Sequence, residues 1–132
     1  MASEAIRLAL EEAGEPPSAV GYVNAHGTGT VANDRMEAAA IRRAVGEGAT
    51  ISSTKPAIGH TLGGAGAIEA ILTAEMIRRG VLLPTLGHKS LDPVCHGLDV
   101  VAGGARETRV RVAVSTSFGF GGQNAALVLR KA

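Results

Sequence analysis

Aromatic side chains are nearly absent: one Tyr, two Phe and no Trp in 132 residues. Any core must therefore be built from Ala, Val, Leu and Ile, within an apolar fraction of 45%. Cysteine is as scarce. Cys95 stands alone, which excludes an internal disulfide framework. Neither charge sign dominates, with 13 basic and 12 acidic side chains and a net charge of +1. That balance offers no electrostatic reason to expect nucleic acid or a membrane as partner. No apolar run approaches the roughly 20 residues of a membrane span. Repeats, low-complexity tracts and long linkers are also missing, so residues 1–132 read as one domain with one core. The opening stretch, MASEAIRLALEEAGEPP, reads as an amphipathic helix rather than a signal peptide. A cytoplasmic protein is the expectation.

What is abundant is glycine, 18 residues gathered into a few loops between regular segments. Ser3 can cap a first helix with Ile6, Leu10 and Ala13 on one stripe and Gly14 as its stop. Val20 to Ala25 reads as a short buried strand. A helix follows from about Asp34 to Val45, with Asp34 and Glu37 spaced as a capping box. Thr50 to Thr54 is a second short strand. From about Gly63 to Arg79 the chain is apolar nearly all round a helix, through Ile68, Ile71, Leu72, Met76 and Ile77, which predicts a central, buried helix ended by Gly80. From Val81 on the helical period is lost. VLLPT, LDVVA, RVRVAVST and AALVLRK read as strands, the last two joined by SFGFGGQN as a hairpin. The order predicts an α/β layered sheet, parallel early and antiparallel late.

Two histidines are delivered into glycine-rich turns: His26 in GYVNAHGTGT, after a strand, and His60 in STKPAIGHTLGGAG, before the apolar helix. A polar side chain at the end of a strand is commonly aimed into a cleft. GTGTVA also fits a dinucleotide-binding fingerprint, but no acidic residue closes the next strand, where Lys55 stands instead. Pro56 forbids a regular helix through Lys55 and His60, so the two share a connection. A helix N-terminus disfavours an imidazolium, which predicts a neutral His60. Glu69 is an acid within the apolar helix and needs partners if buried. His88, His96 and Cys95 show no paired metal-ligand spacing, and no G-x-S-x-G elbow is present. Neither metal nor cofactor is expected.

Three stretches, NAHGTGTVAND, STKPAIGHTLGGAGAIEA and SFGFGGQN, together with LPTLGHKSLDPVCHGLDVV between them, resemble in order and spacing the C-terminal half of a β-ketoacyl-acyl carrier protein synthase. The resemblance is to the decarboxylating branch with two active-site histidines. It implies a thiolase-like C-terminal half with a mixed five-stranded sheet and helices on its faces. It implies that His26 and His60 each donate an N–H to the malonyl thioester oxygen, with Lys55 orienting the site. Phe120 would supply a backbone N–H to the acyl oxyanion hole and its ring would gate the acyl pocket. Asn24, Glu69, Ser115 and Asn124 would form a buried polar cluster, and Asp34, Glu37 and Phe118 would support the site. The family places its nucleophilic cysteine in the N-terminal half, and Cys95 lies where the resemblance assigns no catalysis. The nucleophile is therefore expected on a separate chain that carries the N-terminal half. An acyl carrier protein bearing phosphopantetheine-linked acyl and malonyl groups is the other expected partner, and the assembled unit is expected to dimerise. The alternative is a non-catalytic ketosynthase-like subunit that binds or stabilises. The family's NSFGFGGTN reads TSFGFGGQN here, with Thr116 and Gln123 as departures.

Overall fold

A computed structural model describes all of residues 1–132. Helix α1 (Ala2–Ala13) buries Ala2, Ile6 and Leu10, and Gly14 closes it at φ 67°, a left-handed state that glycine adopts at little cost. The anticipated Ser3 cap is not used. The helix starts two residues earlier, with Met1 at the cap position and its O accepting from the N–H groups of Glu4 and Ala5. Packing explains the shift, because Ala2 is buried with Ala40 and Phe118 and is drawn into the first turn.

Strand β1 (Val20–Asn24) runs up the middle of the sheet, and α2 (Val31–Ala44) follows the glycine turn. Thr30 caps α2 by accepting from Asn33 N–H at 3.3 Å, so the helix begins three residues before Asp34. Asp34 and Glu37 are thereby freed from capping and reach back toward the turn. Strand β2 (Thr50–Ser52) leads into a single helical turn, α3 (Lys55–Ile58). Pro56 was expected to prevent helix here. It sits instead in the first turn, where its missing N–H has no partner to lose, and Gly59 at φ 79° stops the turn before His60.

After a 3-10 turn at Leu62–Gly64, α4 spans Ala65–Arg79. Strand β3 (Val81–Leu82) pairs antiparallel with β5 (Arg106–Glu107) as a separate ribbon. Strands β4 (Asp99–Val100), β6 (Val112–Phe118) and β7 (Asn124–Arg130) complete a five-stranded sheet in the order β4-β2-β1-β6-β7. β1 is parallel to β2 and β6, β2 is parallel to β4, and β7 is antiparallel to β6. The fold is α/β with a mixed five-stranded sheet.

Strand alternation sends consecutive residues to opposite faces. Val23 and Val114 meet Ile6, Leu10, Ala38 and Ile41 of α1 and α2. Tyr22 and Ala113 meet Met76 and Ile77 of α4 on the other face. Each large apolar side chain buried this way contributes about 1.5–3 kcal/mol. α4 is not the fully buried helix that its composition predicts. It buries Ala65, Glu69, Thr73, Met76 and Ile77, while Ile71 is 65% exposed and Ile68 36%. Its inner face takes polar residues because they bond to the sheet and to Lys55. Its apolar outer face has no partner among these 132 residues. No helix is long and apolar enough to cross a membrane.

Candidate active site

The parallel strands β1 and β2 end at the same edge of the sheet, and each runs into a turn that carries a histidine. The two turns are tied together. Ala25 N–H donates to Ser52 O at 2.8 Å, and the Ser53 hydroxyl donates to Gly27 O at 2.9 Å. Gly27 has φ 42°, and a Cβ there would lie 2.5 Å from Ser53 Cβ. Only a glycine lets the turns approach this closely.

That approach brings the imidazoles of His26 and His60 edge to face, with ring centroids 5.4 Å apart at 84°. The Phe118 ring lies tilted against His26, at 6.1 Å between centroids and 57°. His26 is 7% exposed and His60 is exposed. Burial, then the Lys55 ammonium, then His60 push the His26 imidazolium down to about 4, so the ring is neutral at pH 7. His60 Nδ1 accepts from the Leu62 N–H at 3.2 Å. An accepting Nδ1 leaves the ring proton on Nε2, free to donate outward. Leu62 makes this contact at φ 52°, in the left-handed region that disfavours residues other than glycine.

Two carboxylates hold the turns. Glu37 is 3% exposed. Its Oε1 accepts from His26 N–H and the Thr116 hydroxyl, both at 2.8 Å, and its Oε2 from Gly27 N–H at 2.8 Å and Asn33 Nδ2 at 3.2 Å. Burial pushes the Glu37 carboxyl up, against the pull of these four donors. Asp34 Oδ1 accepts from Gly29 N–H at 3.2 Å and from Asn33 Nδ2 at 3.1 Å. Glu69, the acid that needed a partner, forms an ion pair with Lys55, and these two side chains are 1% and 5% exposed. Asn24 Nδ2 donates to Thr73 Oγ1 at 3.0 Å and Glu69 O at 3.3 Å. Asn24 Oδ1 and Glu69 Oε2 are buried without hydrogen-bond partners.

Ser115 is buried on β6. Asn124 bonds within its own turn, Nδ2 to Gly122 O at 3.2 Å, and shares no hydrogen bond with Asn24, Glu69 or Ser115. Phe120 projects fully into solvent, in a turn where Gly121 and Gly122 have φ near 80°. Cys95 is buried in the short turn Pro93–Cys95. It lines a cavity of about 420 Å³ that also reaches Gly27, Lys55 and His60. Its thiol is pushed up by burial, then by Asp92 and Asp34, which is the wrong direction for a nucleophile. Sequence reasoning assigned no role to Thr116, Thr73 or Ser53. Isolated hydroxyl residues carry no motif, and the one available signal was the departure at Thr116.

Residues 1–89 match the family model described as "Beta-ketoacyl synthase, C-terminal domain". The chain belongs to the β-ketoacyl synthase C-terminal domain family. This ketosynthase domain is 47% identical to 3-oxoacyl-[acyl-carrier-protein] synthase 2 of Synechocystis, over 98% of its own length and 32% of the relative's. It superposes on a β-ketoacyl synthase from Burkholderia phymatum with TM-score 0.95 and 44% identity, covering 98% of this chain and 32% of that one. The ishigamide ketosynthase/chain length factor gives TM-score 0.95 and 39% identity, covering 99% and 32%. The fold is therefore that of the thiolase-like ketosynthases. The domain spans about a third of the length of the curated relatives it matches.

Proposed function

We propose that residues 1–132 form one arm of a β-ketoacyl-carrier-protein synthase of fatty acid or polyketide biosynthesis, the arm that drives decarboxylation. The observation that carries this reading is the His26–His60 pair: two imidazoles 5.4 Å apart, one held neutral by burial and the other fixed as an Nε2–H donor. In the reaction, the bond between the malonyl carboxylate and its α-carbon breaks. Its electron pair moves into the thioester, carbon dioxide leaves, and negative charge develops on the thioester oxygen. His26 and His60 donate to that oxygen. Preorganised donors of this kind are worth about 10²–10³-fold each. The enolate carbon then attacks an acyl thioester on a cysteine and expels the thiolate.

That cysteine is supplied from outside these residues, by an N-terminal ketosynthase half on a partner chain. Cys95 is unsuited to the task, with a raised pKa and a buried position. The exposed apolar residues of α4 and β7, Ile68, Ile71 and Leu127, support a packing surface for that half. Lys55, bound to Glu69, keeps positive charge near the His26 imidazole and adds to the burial that holds that ring neutral. Asp34 and Glu37 hold the His26 turn, and Phe118 backs its ring. The exposed Phe120, flanked by glycines, suits a gate at the acyl pocket, with its N–H in the oxyanion hole. Asn24, through Glu69 O and Thr73, completes the polar support around Glu69, while Ser115 pairs with Asn24 on the neighbouring strand and Asn124 holds its own turn. Malonyl and acyl groups arrive on the phosphopantetheine arm of an acyl carrier protein.

The test is malonyl-carrier-protein decarboxylation by the domain assembled with a cysteine-bearing half. His26→Ala and His60→Ala should each lower the rate about 10²–10³-fold while the acylation of the cysteine persists. Decarboxylation that survives both substitutions would leave the domain a binding or stabilising subunit.

A further inference from the structure

We propose that the Thr116 hydroxyl is a positioning device for His26, holding the imidazole where it meets the developing oxygen charge. The inference rests on the reading of His26 as an N–H donor.

The parallel ladder between β1 and β6 ends at the pair Asn24↔Ser115. One step further the backbone of β6 no longer serves β1, and His26 N–H needs an acceptor elsewhere. Thr116 is the next residue of β6 and is fully buried. Its Oγ1 accepts from His26 N–H at 3.0 Å and donates to Glu37 Oε1 at 2.8 Å. Asn24 O lies 3.3 Å from the same hydroxyl. A hydroxyl has one proton, and the shorter contact to a carboxylate claims it. The result is a closed three-membered contact: His26 N–H is shared between Glu37 Oε1 and Thr116 Oγ1, and Thr116 locks Glu37 against rotation. Glu37 alone reaches the turn from α2, a separate element. Thr116 ties that carboxylate to the sheet, so the imidazole is referenced to the same rigid strand pair that carries β1. The γ-methyl neither donates nor accepts and cannot do this.

The experiment uses the domain assembled with its cysteine-bearing half, and measures malonyl decarboxylation and cysteine acylation separately in Thr116→Val and Thr116→Ser. Val keeps the shape and loses the hydroxyl; Ser keeps the hydroxyl and loses the methyl. Displacement of a reacting group by a fraction of an ångström to 1 Å costs up to about 100-fold, so T116V should lower the decarboxylation kcat about 10-fold, with acylation unchanged and T116S within about twofold of wild type. Losing one of four donors also raises Glu37 further, so the acid limb of the decarboxylation pH profile should move to higher pH in T116V and stay in place in T116S. If T116V does not fold, Thr116→Cys, a weak donor of similar volume, takes its place against T116S. Full decarboxylation with an unmoved acid limb in the hydroxyl-free variant overturns the proposal. So does a T116S as impaired as T116V, which would assign the effect to the methyl. His26→Ala in the same assay separates the two levels: if it is silent, the reading of His26 falls and the proposal with it; if it is severe while T116V is silent, the proposal alone falls.

Discussion

Removing the Lys55 ammonium is the sharpest structural perturbation available. Lys55→Met keeps the stem volume and leaves the Glu69 carboxylate, 1% exposed, without its cation. Glu69 Oε2 already has no partner, so the variant leaves both oxygens uncompensated. Breaking a buried pair from one side costs about 3–5 kcal/mol, whereas replacing both members by apolar residues can be near neutral. For 132 residues, 1 kcal/mol corresponds to about 3–4 °C in Tm. Lys55→Met should therefore lower Tm by about 10–18 °C. The reverse variant, Glu69→Leu, should lose a comparable amount, because it strands the ammonium. The double variant should recover most of either loss. The assay is a double-mutant cycle by thermal and urea unfolding at pH 7. A loss under 1 kcal/mol, or strict additivity in the double variant, would refute the view that this pair is a coupled buried unit. The same variant also removes the Lys55 charge that adds to burial in depressing the His26 pKa, which should rise from about 4.

Two further outcomes follow from the turns. Because the His26 pKa is depressed in the folded chain, the unfolded chain binds a proton between pH 6.5 and 4 that the folded chain does not. Stability from this group is thus complete above pH 6.5 and falls as pH drops toward 4, by at most about 3 kcal/mol. Glu37, raised on folding, acts with the opposite sign, so urea midpoints of wild type and His26→Gln across that range isolate the histidine by their difference. Gly27→Ala meets both a left-handed backbone and Ser53 Cβ at 2.5 Å, whereas Gly29, at φ 78°, has nothing within 4 Å. The first should lose about 2–4 kcal/mol and the second about 1–2 kcal/mol. Ser53→Gly should rescue part of the Gly27→Ala loss, and equal losses at the two glycines would contradict the close approach of the turns.

Much of this was legible in the chain. β1 was readable because an apolar run ended at a glycine turn, and β6 because valines alternate with arginines at its start. The two histidine turns were readable from motif order. α4 was not. Its composition cannot distinguish a helix wrapped by one polypeptide from one left half-covered, and its buried face is polar because Glu69 and Thr73 answer Lys55 and Asn24 across the sequence. The starts of α1 and α2 were displaced by tertiary packing of Ala2 and by Thr30 outcompeting Asp34 for the cap. The carboxylate of Glu37 looked like a local capping group, yet it spends both oxygens on residues 10 and 11 positions earlier and on β6. Thr116 had no local signature, since its partners come from β1 and α2. Phe120 lies outside any packing these residues provide, so its role depends on a surface they do not contain.

The central claim is that this domain carries the charge-stabilising donors and not the nucleophile. The direct measurement is condensation product formed from acyl and malonyl carrier proteins by the domain alone, by a cysteine-bearing N-terminal half alone, and by the two assembled, with intact-protein mass spectrometry locating the acyl group. The account predicts product only from the assembly, acyl mass only on the other half, loss of product in His26→Ala and His60→Ala, and no change in Cys95→Ser. An acyl adduct on Cys95 with product from the domain alone would contradict it.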